Sequence, residues 1–449
     1  MIGETMETMS LPRKGVSREE ILEKLSAMKS GDSDWEGGRV FSLVYNAGED
    51  VAAVAREAYR IFIAENGLSP FAFPSLLRME TEVVSMVAGL LGGNAETQGA
   101  MTSGGSESIF MAMKAARDYA REHKPRIASP EIVIPLSAHP AFNKAAHYLG
   151  LKTVITPLAE DLAADANAIG DAIGDNTIML VGSACSYPHG MIDPIEELAA
   201  IARARDIWLH VDACVGGLIL PFLARLGKAI PPFDFRVEGV RSISADLHKY
   251  GYIPKGASVV LYRTGELRKH QFFIYADWPG GIYGTPSLSG SRPGGAIAAS
   301  WAVMNYLGEE GYLRLAGQIA EATSRLQAGI AAIPGLHILG RPPGSVFAFG
   351  SDCLNVYALG EYMKGCGWFI DSQHLPPSLH MTIFPVHNGI VEPFLADLSL
   401  AAREVSSLRD RDISGEAALY GMIGSLPDRG QARDFALEYL HDLYRLRRG

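Results

Sequence analysis

Residues 242–263 read SISADLHKYGYIPKGASVVLYR, and two apolar runs in this stretch, 242–246 and 258–262, are typical of β-strands. A polar turn joins the runs, and Lys249 lies in it, directly after His248. A lysine between two buried strands can present its amine to a ligand at the edge of a sheet. The stretch therefore predicts a sheet with a reactive lysine in a connecting turn, although a lysine at such a place is more often an ordinary loop residue.

Further apolar runs upstream are also typical of strands. They are 131–136, 153–158, 177–182 and 207–212. Helix-length segments separate them, including one from Pro194, and helical spacing marks about 75–92 and 106–119. This alternation predicts an α/β fold with a mostly parallel, doubly wound sheet.

The pattern of strand and helix signals changes past about residue 310. A long amphipathic helix is predicted from Glu309, followed by shorter strand and helix signals. The length of 449 residues also exceeds one typical core. We therefore expect an N-terminal segment over 1–75, a large ligand-binding α/β domain over 76–308 and a smaller C-terminal α+β domain over 309–449.

The composition excludes several classes of protein. The chain has 50 acidic and 40 basic residues, so it lacks the positive charge of a protein that binds nucleic acid or an anionic membrane. Its four cysteines have no metal-ligand spacing, so we expect free thiols, no metal site and a reducing compartment. The N-terminal region has no apolar run of signal-peptide or membrane-spanning length. We expect a cytoplasmic protein without a transmembrane segment.

Residues 102–107, Thr-Ser-Gly-Gly-Ser-Glu, stand at the start of a predicted helix. Backbone N–H groups are free at a helix start, and Gly104 and Gly105 allow a ligand to approach them closely. The stretch favours a phosphate site, although a glycine turn followed by a serine N-cap would look the same.

Two further side chains follow predicted strands, where open α/β sheets bind ligands. Asp212 ends the strand 207–212, and a carboxylate there can keep the pyridine nitrogen of pyridoxal phosphate protonated. His139 follows the strand 131–136 and can stack on the pyridine ring. The alternatives are a loop-capping aspartate and a histidine that only begins a helix.

Together with Lys249, these residues favour pyridoxal phosphate as the cofactor, because a lysine amine can form a Schiff base with its aldehyde. The amine attacks only when it is deprotonated. We expect burial and the neighbouring His248 and Lys255 to lower the pKa of Lys249 towards neutrality.

Several stretches of the chain resemble the sphingosine-1-phosphate lyase family, in order and from about residue 40 to beyond 420. They are TSGGSES at 102–108, SAHPAFNKAAHYLG at 137–150, YPHGMIDP at 187–194, LHVDACVGG at 209–217, SADLHKYGYIPKG at 244–256 and DWPGGIYGTPSLSGSRPGG at 277–295. The family is a group of fold-type I pyridoxal-phosphate enzymes related to the group II amino-acid decarboxylases. The resemblance implies a homodimer with active sites at the subunit interface, to which the segment 1–75 contributes.

The resemblance also implies a role for each matching residue. Lys249 carries the cofactor, Asp212 pairs with the pyridine nitrogen and His139 stacks on the ring. The other cofactor-binding residues that it implies are Gly104, Gly105, Ser106, His248 and, reaching the cofactor phosphate from the partner subunit, Ser291.

Residues at the substrate end are implied in the same way, and they are Tyr45, Asn66, Ser69, Tyr187 and Lys255. Tyr45 and Lys255 are also implied in catalysis, as groups that orient the substrate phosphate. An aromatic core residue and a surface charge are the alternatives for these two. The family pattern Asn-Pro-Leu-His-Pro-Asp appears here as Asn-Gly-Leu-Ser-Pro-Phe at 66–71, so Ser69 replaces a histidine expected to bind the substrate phosphate.

The function implied is a lyase that cleaves the Cα–Cβ bond of a phosphorylated long-chain amino alcohol by retro-aldol chemistry. Its products are a fatty aldehyde and phosphoethanolamine. A pyridoxal-phosphate decarboxylase or another aldolase would share the cofactor residues, and a cofactor-holding protein without turnover is an alternative from another class. Tyr45 and Lys255 favour a phosphorylated substrate, and the presence of Lys249, Asp212 and His139 together favours an enzyme.

Overall fold

A seven-stranded sheet lies at the centre of the molecule in the computed structural model, which describes residues 11–407 and 429–445. Its strands are β1 (Gln98–Thr102), β2 (Glu131–Pro135), β3 (Lys152–Thr156), β4 (Thr177–Ser183), β5 (Trp208–Asp212), β6 (Val240–Ala245) and β7 (Ser258–Tyr262). They are ordered β1-β7-β6-β5-β4-β2-β3; β7 pairs antiparallel with β1 and with β6, and the other four pairings are parallel. The predicted mostly parallel α/β sheet is confirmed.

Helices surround this sheet and continue beyond it. They are α1 (Arg18–Lys29), α2 (Glu49–Ile61), α3 (Pro74–Leu90), α4 (Gly105–His123), α5 (Ala141–Leu149), α6 (Ala166–Asp171), α7 (Ile195–Ala204), α8 (Leu220–Arg225), α9 (Gly265–Lys269), α10 (Gly294–Ala331), α11 (Val356–Gly365), α12 (Val391–Ser407) and α13 (Arg429–Leu443). Within the described ranges, no helix combines the length and the apolar character that crossing a membrane requires.

Side chains on the two faces of the sheet fill two separate cores. Along β7, Val259 and Leu261 pack into the larger core, while Val260 and Tyr262 pack into the smaller one. Successive side chains of a strand point to opposite faces, so a strand buried on both faces is apolar throughout. This is why the central strands read as continuous apolar runs in the sequence.

A smaller antiparallel sheet follows in the C-terminal part, in the order β10-β11-β13-β12. Its strands are β10 (Leu336–Ile338), β11 (Val346–Ser351), β12 (Asp371–His374) and β13 (Pro377–Thr382), and a separate hairpin consists of β8 (Phe273–Tyr275) and β9 (Tyr283–Thr285). The small sheet lies inside the range predicted for the C-terminal domain. The domain boundaries themselves stay a prediction.

The predicted start of the long helix at Glu309 was wrong, because α10 begins at Gly294. Glycine at the start of this helix permits close packing, since a Cβ on Gly295 would lie 2.7 Å from the ring of Tyr59 in α2. Gly308 interrupts the helix with a φ of 54°. The sequence pattern therefore detected only the half of α10 that follows this interruption.

A close backbone contact joins the loop after β4 to the small sheet. Gly190 has a φ of 73°, and a Cβ at this position would lie 1.9 Å from the carbonyl oxygen of Val346. The contact requires glycine for its conformation and also for its lack of a side chain.

We predict that Gly190→Ala destabilises the protein far more than Gly150→Ala. Gly150 also has a positive φ of 66°, but nothing lies within 4 Å of the position that a Cβ would take there. The control should lower the free energy of unfolding by about 1 kcal/mol through backbone strain alone. Gly190→Ala should cost roughly 1–3 kcal/mol more, because the Val346 carbonyl must move. Chemical denaturation measures both, and equal losses would contradict the steric contact.

Candidate active site

The carboxyl ends of β4, β5 and β6 meet at one edge of the large sheet and form a cavity of about 350 Å³. Parallel strands collect ligands at this edge. The cavity brings together eight of the predicted site residues, which are Gly104, Gly105, Ser106, His139, Tyr187, Asp212, His248 and Lys249.

Lys249 forms an ion pair with Asp246 at the base of the cavity. The distance from Nζ to Oδ2 is 3.0 Å, and the side chains of Lys249 and Asp246 are 20% and 2% exposed. His248 Nε2 lies 3.6 Å from the same oxygen, and its Nδ1 accepts a hydrogen bond from the Ala257 N–H. The other oxygen of Asp246, Oδ1, is buried and has no hydrogen-bond partner among the described residues.

The prediction that the pKa of Lys249 is lowered was wrong for this arrangement. Burial is the largest single influence and would lower the pKa, but the negative charges around the amine, Asp246 first among them and Asp212 included, together outweigh it, so the pKa of Lys249 is raised. Burial alone would raise the pKa of Asp246, but the charge of Lys249 and the contact with His248 together overcome it and hold the pKa far below its usual range. The sequence argument considered the neighbouring cations and missed the aspartate three residues before the lysine.

The start of α4 forms a cradle in the wall of the cavity, beside Asp246 and His248. No side chain caps this helix, and Gly104 and Gly105 approach the strand-end residues closely. A Cβ on Gly105 would lie 2.8 Å from Asp246 Oδ2, and one on Gly104 would lie 3.2 Å from His248 Cε1. The uncapped N–H groups and the positive end of the helix dipole suit a phosphate.

Glu107 in the first turn of α4 binds protein groups and leaves the cradle open. One carboxylate oxygen accepts hydrogen bonds from the N–H and hydroxyl of Ser103, at 2.7 and 2.5 Å. The other oxygen accepts from the N–H of Leu288 at 2.7 Å. Glu107 therefore connects the cradle to the segment 277–295, a link that the sequence did not indicate.

Hydrogen bonds orient Asp212 and His139. Asp212 Oδ1 accepts from the Cys214 N–H at 3.0 Å and from the Ser244 hydroxyl at 3.4 Å. His139 Nδ1 accepts from the Ala141 N–H at 3.1 Å. Burial lowers the pKa of His139 and outweighs the opposing effect of Asp212, so the ring is neutral at pH 7 and carries its hydrogen on Nε2.

Tyr187 connects the cavity to the small sheet. Its hydroxyl donates to Oδ2 of Asp371 at 2.9 Å, and its ring stacks on that of His380 with a centroid distance of 4.2 Å. Asp371 lies on β12 and His380 on β13. These two partners were missed because they lie almost 200 residues from Tyr187 in the chain.

Tyr45 and Lys255 lie beside the cavity and contact each other. The Lys255 ammonium is 5.1 Å from the centre of the Tyr45 ring, which packs edge-on against Tyr250 at 5.0 Å. Lys255 also donates to the carbonyl of His248 at 3.1 Å. Desolvation by the surrounding protein, followed by the charge of Lys249, lowers the pKa of Lys255 to about 8, although solvent still reaches the side chain.

Asn66, Ser69 and Ser291 do not line the Lys249 cavity of their own chain. Asn66 Nδ2 donates to the Ser291 hydroxyl at 2.9 Å, and Ser69 accepts from the Ala72 N–H at 3.4 Å. Ser69 lines a separate groove of about 730 Å³ beside α3. Among the described residues of one chain, these three therefore form no part of the wall around Lys249.

The residues of the cavity fit pyridoxal phosphate. Lys249 supplies an amine for its aldehyde, Asp212 a carboxylate for its pyridine nitrogen and His139 a flat ring for stacking. The cradle at Gly104 and Gly105, which any Cβ would fill, is open to the phosphate.

Comparison with known proteins supports this interpretation of the cavity. The pyridoxal-dependent decarboxylase conserved domain matches residues 5–345. A sphingosine-1-phosphate lyase of Oryza sativa subsp. japonica is 43% identical over 438 residues, which are 96% of this chain and 81% of that protein.

Solved structures agree with the sequence comparison. The sphingosine-1-phosphate lyase of Burkholderia pseudomallei K96243 superposes with a TM-score of 0.89 and 40% identity, covering 97% of each chain. The glutamate decarboxylase of Lactobacillus brevis has a TM-score of 0.78 at 19% identity, over 90% of this chain and 97% of that one, which shows the shared fold alone. The chain belongs to the pyridoxal-dependent decarboxylase family and, within it, to the sphingosine-1-phosphate lyases.

Proposed function

We propose that the chain is a pyridoxal-phosphate-dependent lyase that cleaves phosphorylated long-chain amino alcohols of the sphingosine 1-phosphate type. The products are a fatty aldehyde and phosphoethanolamine. The observation that carries the proposal is the single cavity that unites Lys249, Asp212, His139 and the uncapped start of α4, in a chain 43% identical to a sphingosine-1-phosphate lyase. Pyridoxal 5'-phosphate is the cofactor.

The residues of the cavity have distinct roles in this proposal. Lys249 holds the cofactor through its amine, Gly104, Gly105, Ser106 and His248 surround its phosphate, and His139 covers its ring. When bound, the cofactor supplies an electron-accepting ring that takes up the electron pair left on Cα as the Cα–Cβ bond breaks. Asp212 favours this uptake by holding a proton at the pyridine nitrogen, and Lys249 is the proton donor to Cα.

Lys255 and Tyr45 recognise the substrate phosphate at the mouth of the cavity. Lys255 is charged below its pKa of about 8, and a charged hydrogen bond to phosphate contributes typically about 1.5–3 kcal/mol. The phenol of Tyr45 adds a neutral donor. Ser69 stands where the family has a histidine, so Lys255 bears a larger share of the charge complementarity in this chain.

The rival function is amino-acid decarboxylation, since the cofactor residues would serve both reactions. The glutamate decarboxylase of known structure shares only the fold with this chain, at 19% identity. The cation of Lys255 beside Tyr45 favours a phosphorylated substrate.

The active enzyme is a homodimer in this proposal, and each subunit completes the site of the other. Asn66 and Ser291 are hydrogen-bonded to each other but do not line the Lys249 cavity of their own chain. The Ser291 hydroxyl accepts the hydrogen bond from Asn66 and can donate its own hydrogen to the cofactor phosphate of the partner subunit, with Asn66 and Ser69 beside the substrate there. The free cysteines support a reducing, cytoplasmic location.

Product analysis tests the function directly. The holoenzyme should convert a phosphorylated sphingoid base to a fatty aldehyde and phosphoethanolamine, as seen by mass spectrometry, and should release no carbon dioxide from a panel of amino acids. Lys249→Ala should abolish the reaction and the visible absorbance of the Schiff base, and the variant should still fold, with lower stability because buried Asp246 loses its partner. Carbon dioxide release without aldehyde would establish the decarboxylase instead.

The pKa of Lys255 predicts how substrate recognition depends on pH. Lys255 is protonated below about pH 8 and neutral above it, so kcat/KM for the phosphorylated substrate should fall as pH rises through this value. Lys255→Arg should keep kcat/KM level to higher pH, because arginine stays charged. The dephosphorylated form of the same sphingoid base is the control and should show no such fall. A profile unchanged by Lys255→Arg would contradict the role of Lys255.

Subunit complementation tests the shared site. Ser291→Asp should impair activity by placing a carboxylate against the cofactor phosphate, and Lys249→Ala should be inactive. Co-expressed in equal amounts, the two variants should regain about one quarter of the wild-type rate, because half of the dimers are mixed and one site in each is intact. Activity no greater than the sum of the separate variants would show that Ser291 serves its own chain.

A further inference from the structure

Tyr187 lines the cavity, and its hydroxyl is hydrogen-bonded to the carboxylate of Asp371. It is the only tyrosine among the described residues that line the cavity around Lys249. Its hydrogen is directed to Oδ2 of Asp371 at 2.9 Å. A phenol that donates in this way leaves its oxygen lone pairs able to accept a hydrogen bond from a ligand.

The surroundings of Tyr187 fix this orientation. The ring stacks on His380 at a centroid distance of 4.2 Å and an interplanar angle of 25°. His380 Nε2 is hydrogen-bonded with the Thr382 hydroxyl at 2.9 Å. The next residue, Pro188, accepts a hydrogen bond from Gln373 at 2.8 Å through its carbonyl. The small sheet thus contacts the ring of Tyr187 through His380 and the adjacent backbone through Gln373.

Other groups in the cavity are poorly suited to accept a proton from substrate. The Nδ1 atoms of His139 and His248 already accept backbone N–H groups, and the Nε2 atom of His248 lies 3.6 Å from Asp246 Oδ2, so neither ring offers a free lone pair to the substrate. Both oxygens of Glu107 accept protein donors. Asp246 is paired with Lys249 at the base of the cavity.

We propose that Tyr187 and Asp371 together accept the proton of the substrate β-hydroxyl, an inference that rests on the function proposed above. The hydroxyl gives its proton to Oη of Tyr187 while Tyr187 gives its own proton to Oδ2 of Asp371. The electrons of the O–H bond form the aldehyde carbonyl, the Cα–Cβ bond breaks, and its electron pair stays on Cα. Asp371 releases the proton to solvent after the aldehyde leaves.

The protonation state of Tyr187 agrees with a relay and not with a free phenolate base. Burial, and then the charge of Asp371, raise the pKa of Tyr187 above its usual value. The phenol therefore stays protonated at neutral pH and can accept a proton only by passing one on. Asp371 supplies the acceptor for the phenol proton, which the Tyr187 hydroxyl alone lacks.

Two reactions of the holoenzyme separate this role from a structural one. Cleavage of a phosphorylated sphingoid base needs an acceptor for the β-hydroxyl proton. Exchange of the Cα hydrogen of phosphoethanolamine with deuterated solvent uses the same cofactor and Lys249 but involves no β-hydroxyl. Tyr187→Phe and Asp371→Asn should slow cleavage by about 10²–10⁴-fold, as for loss of a general base, and should leave exchange near the wild-type rate.

A double variant provides a further readout. Because the two groups act as one unit, Tyr187→Phe combined with Asp371→Asn should cleave no more slowly than Tyr187→Phe alone. Melting temperature and the visible absorbance of the bound cofactor should match the wild type in all three proteins, which shows that the fold and cofactor occupancy are retained.

Matched substitutions in the same small domain serve as controls. The hydroxyl of Tyr357 donates to the carbonyl of Gln373 at 3.0 Å, and Asp397 accepts from Trp368 Nε1 at 2.8 Å. Neither residue lines the cavity in the described structure. Tyr357→Phe and Asp397→Asn should leave both reactions unchanged.

Three results would overturn the relay. Equal slowing of cleavage and exchange by Tyr187→Phe would make Tyr187 a structural residue, and cleavage at the wild-type rate would pass the role to another group, with Asp246 the next carboxylate. Additive losses in the double variant would show that Asp371 acts separately. Wild-type protein that exchanges the Cα hydrogen but cleaves no phosphorylated sphingoid base would instead refute the proposed function, and the relay with it.

Discussion

The buried ion pair between Lys249 and Asp246 is the constraint around which the site is arranged. Asp246 is almost wholly buried, and an unpaired carboxylate there would be costly, so the two charges stabilise each other against loss of water. The buried carboxylate of Asp246 also limits the size of the residue that can pack against it. Gly105 approaches the carboxylate so closely that a methyl group would collide with it, and the cradle at α4 follows from this approach.

The central strands were predictable because burial on both faces leaves a local signal. Each predicted run overlaps its observed strand, and 258–262 matches β7 at both ends. β1 was missed because Gln98–Thr102 contains few apolar residues and includes Gly99. A Cβ there would lie 2.5 Å from the Val260 carbonyl, so tertiary contact and not local preference explains this strand.

The cavity was predictable to the extent that its residues follow strands or begin a helix. Such positions in the sequence identify Asp212, His139 and the glycines of α4 as candidate site residues. The partners of Tyr187 do not, because β12 and β13 carry no local sign that they lie against this loop. The direction of the pKa shift of Lys249 was not predictable either, because it depends on the distances between the amine and several nearby charges. Asn66 and Ser291 pair across more than 220 residues, a contact that no spacing rule indicates.

Glu107 has a consequence for how the enzyme responds to dilution. This buried carboxylate bonds to Ser103 in the cradle and to Leu288 in the segment that carries Ser291. If that segment completes the site of the partner subunit, one side chain ties cofactor retention to subunit association. Each equilibrium then strengthens the other by thermodynamic linkage. The apparent affinity for cofactor would rise with protein concentration, and cofactor would in turn hold the subunits together.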